Sequence, residues 1–333
     1  MINFRIFFYL VIIYNKNKMS LEEQINVIRN IKPKSLKAYM ISLKKIYGAI
    51  DNKDIEFDTL DFLKKKYYKK VIEFLNTMKP VTAKNYLSAI LVGLSVHPVE
   101  NKTILDQYRN HLDSIANEYN KKIQSQEKSE KLEKNWITLM ELKKMVSRIK
   151  RDIKEKGLEK KEEWTNKDIE LYQRYLTGLL YTEMPPVRND FANMKVIKFK
   201  DYDKLKNKNE NYLVLVGNKK RFFSLGAYKT SDLYGVKTIP VNPIINKAIS
   251  KWLEHNKTGF FLINKQKKPL SENSLTKLLN KIFESSGKSI SSTIIRHVYL
   301  TEKYGKTNKE QENDADIMGH SVATQQNVYV KKD

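Results

Sequence analysis

Cysteine is absent from the chain, which removes disulfides, thiolate metal sites and cysteine nucleophiles together and permits a reducing compartment. The five histidines, His97, His111, His255, His297 and His320, show no metal-ligand spacing of the H-E-x-x-H kind, so no structural or catalytic metal is expected. No G-x-x-x-x-G-K-[ST] loop for nucleotide phosphates occurs, and no repeat period or long low-complexity tract. Long apolar runs are missing too. The strongest, Phe4 to Tyr14 (FRIFFYLVIIY), is broken only by Arg5 and falls short of the roughly 20 residues that span a bilayer. No small-residue cleavage site follows it. The reading preferred here takes Met19, which opens MSLEEQ, as the initiator and residues 1–18 as an upstream extension, with a signal peptide or membrane anchor as the alternative. Mass spectrometry of the natural N-terminus separates the two. No membrane association and no secretion are expected; the protein is read as intracellular.

What is present is a chain of 333 residues, long enough for two domains that each bury a core. Hydrophobic residues make up 41% and charged residues 30%, the balance of a folded globular protein. Against 38 Asp+Glu stand 62 Lys+Arg, a net charge of +24, which favours a polyanionic partner whose phosphates are neutralised with counterion release. A Lys- and Asn-rich vocabulary also follows from an AT-rich genome, so the charge needs motifs beside it.

From Ser35 onward Leu36, Tyr39, Met40, Leu43, Ile46, Tyr47 and Ile50 fall at helical spacing, with Lys37, Lys44 and Lys45 between them. The pattern predicts an amphipathic helix with a basic outer face. Three more helices are predicted, through Leu63 to Leu75, Tyr86 to Leu94 behind a start at Pro80 and Thr82, and Leu105 to Tyr119. Their aromatic residues read as core. The charged stretch Lys121 to Lys134 reads as a linker, so residues 19–122 form a helical domain, 123–135 the linker, and 136–333 a second domain. There Thr138 and Glu141 make a capping box, and a helix is expected around Ile169 to Tyr181. Strands follow at Met194–Phe199, Tyr212–Val216, Arg221–Leu225 and Thr238–Val241. Helices resume at Ile244–Leu253, Leu275–Phe283 and Ser292–Lys303. The expected class is mainly α, a helical domain followed by an α+β domain with a small antiparallel sheet.

Near the C-terminus, MGHSVATQQNVY places His320 nine residues before Tyr329, with Gly319–His320 where a helix should end. Arg296 stands 24 residues before His320 in TIIRH, Arg188 follows a Pro-Pro turn in MPPVRND, and Lys229 lies between the two arginines in AYKT. This ordered set resembles the tyrosine recombinase (phage integrase) family, in which arginine, hairpin lysine, H-x-x-R, G-H and a final tyrosine occur in that order. The motifs cover residues 136–333, and the preceding helices resemble that family's core-binding domain by position and type.

The resemblance implies a division of labour. Arg188 and Arg296 would clamp the non-bridging oxygens of the scissile phosphate with planar, permanently charged donors. His320 would add a hydrogen bond and help take the phenol proton, and Lys229 would protonate the leaving 5′ oxygen. Tyr329 would attack to form a 3′-phosphotyrosyl link that stores the bond energy, so rejoining needs no ATP, metal or other cofactor. The partners implied are double-stranded DNA and further copies of the chain, as a homo-tetramer on paired sites, with no small-molecule substrate. Lys37, Lys44 and Lys45 are candidate phosphate contacts. The composition and the PPVRND segment look like integrases of large eukaryotic DNA viruses and their satellites, which implies a mobile element.

Two positions depart from the family pattern. Thr293 stands where H-x-x-R places its histidine, leaving His297 to compensate, and the acidic residue three after the first arginine is Phe191, with Asp190 one step earlier. Taken singly, each residue has a plainer explanation: Tyr329 is one of 19 tyrosines, Lys219, Lys220 and Lys237 compete with Lys229, and His320 after a glycine caps a helix. Two other functions stay open. One is a type IB topoisomerase, against which the separate helical domain and the match around His320 and Tyr329 weigh. The other is a DNA-binding protein of the same fold with impaired catalysis, kept alive by Thr293.

Overall fold

The computed structural model describes residues 19–51, 54–217 and 220–330; the extension read at residues 1–18, and Lys219, lie outside them. Helix accounts for 63% of the described residues, so the mainly α class holds. The chain divides into two compact units, one up to Glu127 and one from Lys128 onward.

The first unit contains α1 (Leu21–Arg29), α2 (Pro33–Ile50), α3 (Tyr68–Asn76), α4 (Pro80–Leu94) and α5 (Lys102–Gln124). Leu36, Met40, Leu43, Ile46 and Ile50 of α2 are buried, and they meet Val71 and Leu75 of α3, Leu87, Ile90 and Leu94 of α4, and Tyr108 of α5 in one core. Of the aromatic residues expected in the core, Tyr108 is fully buried and its hydroxyl donates to the Leu63 carbonyl at 3.1 Å, Tyr39, Tyr47, Tyr67, Phe74 and Tyr86 pack partly buried against that core, and Tyr119 is exposed. The apolar pattern does not mark α1, because this helix buries only Leu21 and Ile25. Its capping box, Ser20 with Glu23, is the signal that does.

The second unit opens with a short α6 (Glu130–Lys134), then α7 (Leu139–Glu155) behind the Thr138–Glu141 capping box, and α8 (Asn166–Thr182). From Tyr175 to Thr182 every residue of α8 is buried, which makes it the central post against which α7, α11 (Pro243–His255) and α12 (Glu272–Ile282) pack. Trp252 of α11 is fully buried, and its indole N–H donates to the Phe261 carbonyl at 2.7 Å.

The sheet is β1 (Lys195–Lys198), β2 (Asn211–Val216), β3 (Lys220–Leu225) and β4 (Lys237–Pro240), in that order. β2–β3 and β3–β4 are antiparallel, as expected, but β1 runs parallel to β2, with Lys195 opposite Tyr212. The sheet is therefore mixed. The reason is the connection from Lys198 to Asn211, which contains α9 (Phe199–Asp203) and is long enough to return the chain to the same edge. A small α10 (Ser231–Tyr234) sits in the β3–β4 connection.

The largest departure from expectation is α13. It begins at Ser292, as predicted, but continues without interruption to Ile317, where the apolar pattern suggests an end near Lys303. Lys, Glu and Gln sustain a helix by propensity without marking it by periodicity. Beyond Val298 this helix buries almost nothing; Ala315 is the one fully buried residue between Tyr299 and Ile317.

Candidate active site

Arg188 lies in the turn that ends α8. The Tyr181 hydroxyl, on a ring buried in the core, donates to the Arg188 carbonyl at 2.6 Å, and the Arg188 N–H donates to Asp190 Oδ2 at 3.1 Å. The Arg188 side chain is left exposed. Arg296 sits one turn into α13 and is half-buried. Asp190 joins the two: burial pushes its carboxyl above the usual range, while the Arg188 N–H and the Arg188 and Arg296 guanidinium groups pull it back. Both arginines therefore act on the same carboxylate, at one end of α13.

The one-residue shift of the acid has a structural explanation. Phe191 is 1% exposed and packs edge-on against Tyr181, Phe223 and Phe261, with ring centroids 5.8, 5.1 and 6.2 Å away. The chain uses Phe191 as a core anchor, and Asp190 accepts the Arg188 N–H within the same turn.

Two asparagines that no sequence motif singles out brace this region. Asn189 Nδ2 donates to Thr276 Oγ1 at 2.9 Å and to the Glu272 carbonyl at 3.2 Å, while its Oδ1 accepts from Ser292 Oγ at 2.9 Å. The Arg188 turn is thus tied to α12 and to the first turn of α13. Asn211, buried at the start of β2, donates to the carbonyls of Asp190 at 2.8 Å and Ala227 at 3.1 Å and accepts the Ala227 N–H at 2.8 Å. That fixes the Asp190 loop against the base of the β3–β4 connection. Gly226 completes the closure: a Cβ there would stand 1.7 Å from the Lys208 carbonyl oxygen. Nothing in the spacing of the sequence marks Asn211, and Gly226 is one of 11 glycines.

Lys229 lies two residues past Ala227, in the turn after β3, with its side chain exposed. Of its competitors, Lys237 is engaged over the rings of Tyr228 and Tyr234, 4.9 and 5.2 Å from their centroids. Lys220 is exposed at the start of β3, on the far side of that strand from Ala227. Tyr228 is close enough to Asp190 for the carboxylate to act on its phenol, after burial and Tyr234, so the Lys229 turn borders the arginine cluster.

His320 and Tyr329 are held by a different device. α13 closes in a Schellman turn: Gly319 takes φ +70°, its N–H donates to the Asp316 carbonyl at 3.1 Å, and the His320 N–H donates to the Ala315 carbonyl at 2.9 Å. Ser321 then caps the one-turn α14 (Val322–Thr324), which passes into a π-turn ending at Tyr329. Gln326 Nε2 donates to Gln311 Oε1 at 3.1 Å and pins this fold-back to α13. As a result the His320 and Tyr329 rings stack, 5.0 Å between centroids and 28° between planes. His320 Nε2 is shielded from solvent with no hydrogen-bond partner among the described residues, whereas Tyr329 is 61% exposed.

The structure therefore holds two clusters. Arg188, Asp190 and Arg296, with Lys229 at the border, form one; His320 and Tyr329 form the other. Thr293 and His297 flank Arg296 on α13 with exposed side chains. From Arg296 to Ile317 is 21 residues of continuous helix, about 32 Å at 1.5 Å per residue. The fold-back after Ile317 returns along the helix as far as Gln311, 15 residues from Arg296, about 22 Å at the same rise. No hydrogen bond or ion pair joins the clusters among the described residues. Lys37, Lys44 and Lys45 of α2 are exposed beside the buried face of that helix. Among the described residues no helix is long and apolar enough to cross a membrane, and no group of three or more His, Asp or Glu side chains forms a metal site.

No family model matches the chain, and no curated protein matches it significantly. Among solved structures it is similar to one described as the crystal structure of XerA recombinase, at 11% identity over 94% of each chain and a TM-score of 0.34.

Proposed function

We propose that the chain is a site-specific DNA recombinase of the integrase type, which breaks and rejoins strands through a 3′-phosphotyrosyl bond at Tyr329. The observation that carries this reading is the convergence of Arg188 and Arg296, from segments 108 residues apart in sequence, on Asp190 beside the Lys229 turn. Two guanidinium groups that both act on one nearby carboxylate suit a phosphodiester, whose transition state spreads negative charge over its non-bridging oxygens.

The remaining groups supply the proton transfers. The Tyr329 hydroxyl attacks phosphorus as its proton passes toward His320, whose shielded Nε2 is free to accept; the 5′ oxygen leaves with a proton from Lys229. A free 5′ hydroxyl from the same or another duplex reverses the sequence, returning the phosphate to DNA and the proton to tyrosine. Each step is a transfer between protein and DNA, which is why no ATP or metal is invoked. The partner is double-stranded DNA, with a tetramer on paired sites for strand exchange.

The test uses a pool of nicked duplexes of randomised sequence, since a nick beside the cut lets the released fragment diffuse away and traps the link. Denaturing electrophoresis should show a protein–DNA adduct for the wild type that is lost in Tyr329→Phe and strongly reduced in Arg188→Ala and Arg296→Ala. An adduct that persists in Tyr329→Phe overturns the assignment. A second reading, DNA binding without cleavage, draws on the lack of any hydrogen bond or ion pair between the arginine cluster and the His320–Tyr329 pair among the described residues; retention of duplexes with no adduct from the wild type would establish it.

A further inference from the structure

A cavity of about 480 Å³ lies between the start of α8, the later turns of α12 and the turn that joins Ile263 to Pro269. None of its lining residues belongs to the arginine cluster or to the His320–Tyr329 pair. Ile169, Ile263, Leu270 and Leu278 give it apolar ground, Ile263 and Leu270 buried and the other two half-buried. Its walls are fixed by hydrogen bonds of their own. Gln173, buried on α8, donates from Nε2 to the Ile263 carbonyl at 2.9 Å and accepts the Ile263 N–H at 2.8 Å, as a neighbouring strand would. Asn264 Oδ1 accepts the N–H groups of Gln266 at 2.9 Å and Lys268 at 3.0 Å, which closes the turn. A wall held in this way gives up little freedom when a ligand enters.

Five lysines surround the apolar ground, against a single acid. Lys281 pairs with that acid, Glu170, and is the main cause holding its carboxyl below the usual range. Lys265 also acts on Glu170. Neither Lys265 nor Lys167, Lys267 or Lys277, however, makes a side-chain hydrogen bond or ion pair among the described residues, and all four are exposed. Exposed lysines are ordinary on a chain of net charge +24. What sets these four apart is the apolar hollow they surround. Their mutual repulsion is relieved only by an anion.

The two halves of this chemistry restrict the occupant. Inorganic phosphate would answer the ammonium groups and leave the apolar side chains wet, and a neutral apolar molecule would do the reverse. The volume falls in the range of small-molecule sites, roughly 300–1,000 Å³. We infer that this groove binds a small organic anion with an apolar body, its charged head among the four free lysines and its body against the four apolar side chains. The inference does not depend on Tyr329 or on DNA cleavage, and its test uses no DNA.

The probe is 1-anilinonaphthalene-8-sulfonate, an apolar-bodied anion whose fluorescence rises when water is excluded. The full chain should bind it saturably. Lys167→Glu/Lys277→Glu should weaken that binding about tenfold, since two favourable charge contacts become repulsive. Lys150→Glu/Lys200→Glu, an equal change of charge at exposed lysines outside the groove, should leave it unchanged. Ser274→Phe, which places a ring inside the groove without altering charge, should abolish it, and circular dichroism checks that each variant is folded. Octanoate should displace the probe at about one-tenth of the concentration that octanol or acetate requires. Naphthoate, run beside octanoate, separates aromatic from aliphatic acids as the source, and competition by either supports the inference. Failure of both acids to compete, octanol or acetate competing as well as octanoate, or equal loss of affinity in the two double variants overturns it.

Discussion

Replacing Asn211 with alanine should weaken the fold and the chemistry together, by amounts the structure allows to be worked out. The side chain makes three hydrogen bonds, two donated to the Asp190 and Ala227 carbonyls and one accepted from the Ala227 N–H. Each is worth about 0.5–1.5 kcal/mol net, with more lost where a buried partner stays unsatisfied. The sum is about 2–4 kcal/mol. In a unit of this size each kcal/mol lowers Tm by about 2–4 °C, so a melt followed by circular dichroism should shift down by about 4–16 °C. Asn211→Asp is the discriminating control. It keeps the volume and the acceptor for the Ala227 N–H but turns a carboxylate oxygen toward two carbonyls, so it should cost at least as much as alanine. A shift below about 2 °C in either variant would refute the brace, because three bonds of this kind cannot be lost so cheaply. Adduct formation should fall further than unfolding explains at the assay temperature, since a displacement of about 1 Å between reacting groups costs up to 100-fold.

Other expectations follow from the same geometry. Phe191→Ala should lose about 3–5 kcal/mol by emptying an aromatic site in the core, read from the urea midpoint, and Phe191→Leu should recover most of it. Lys229→Ala should slow cleavage while binding to randomised duplex stays near wild type, whereas Lys220→Ala should leave both unchanged; a 5′-phosphorothiolate, whose leaving sulfur needs no proton, should rescue Lys229→Ala. Burial raises the Asp168 carboxyl, but the Lys161 ammonium and the Thr165 hydroxyl and N–H outweigh it and hold it at about 2. A carboxyl held low in the fold stabilises above its unfolded range and loses that contribution as pH falls toward 2. Asp168→Asn should therefore be less stable than wild type at pH 7 by on the order of 1–2 kcal/mol, with the difference shrinking as pH is lowered from 4 toward 2.

How far the sequence disclosed this molecule depends on what marks each element. Where a helix buries a stripe, periodicity gives it away: Leu36, Met40, Leu43, Ile46 and Ile50 place α2 by their spacing alone, and the Thr138–Glu141 box marks the start of α7. β2, β3 and β4 are legible for a similar reason, as short β-branched and aromatic runs with turn residues between them. The tail of α13 is not, because a helix that packs against nothing carries no apolar repeat, and YGKTNKEQENDADI reads as solvated chain. The parallel pairing of β1 is hidden because strand direction is set by the connection, and α9 is too short to leave a pattern. In the candidate site, the motif order suggests Arg188, Arg296, His320 and Tyr329. Asn189, Asn211 and Gly226 act on groups brought together only by folding, and no spacing rule reveals them. Motif order is also silent about how these residues are grouped, so the stacking of His320 on Tyr329 has no sign in the sequence.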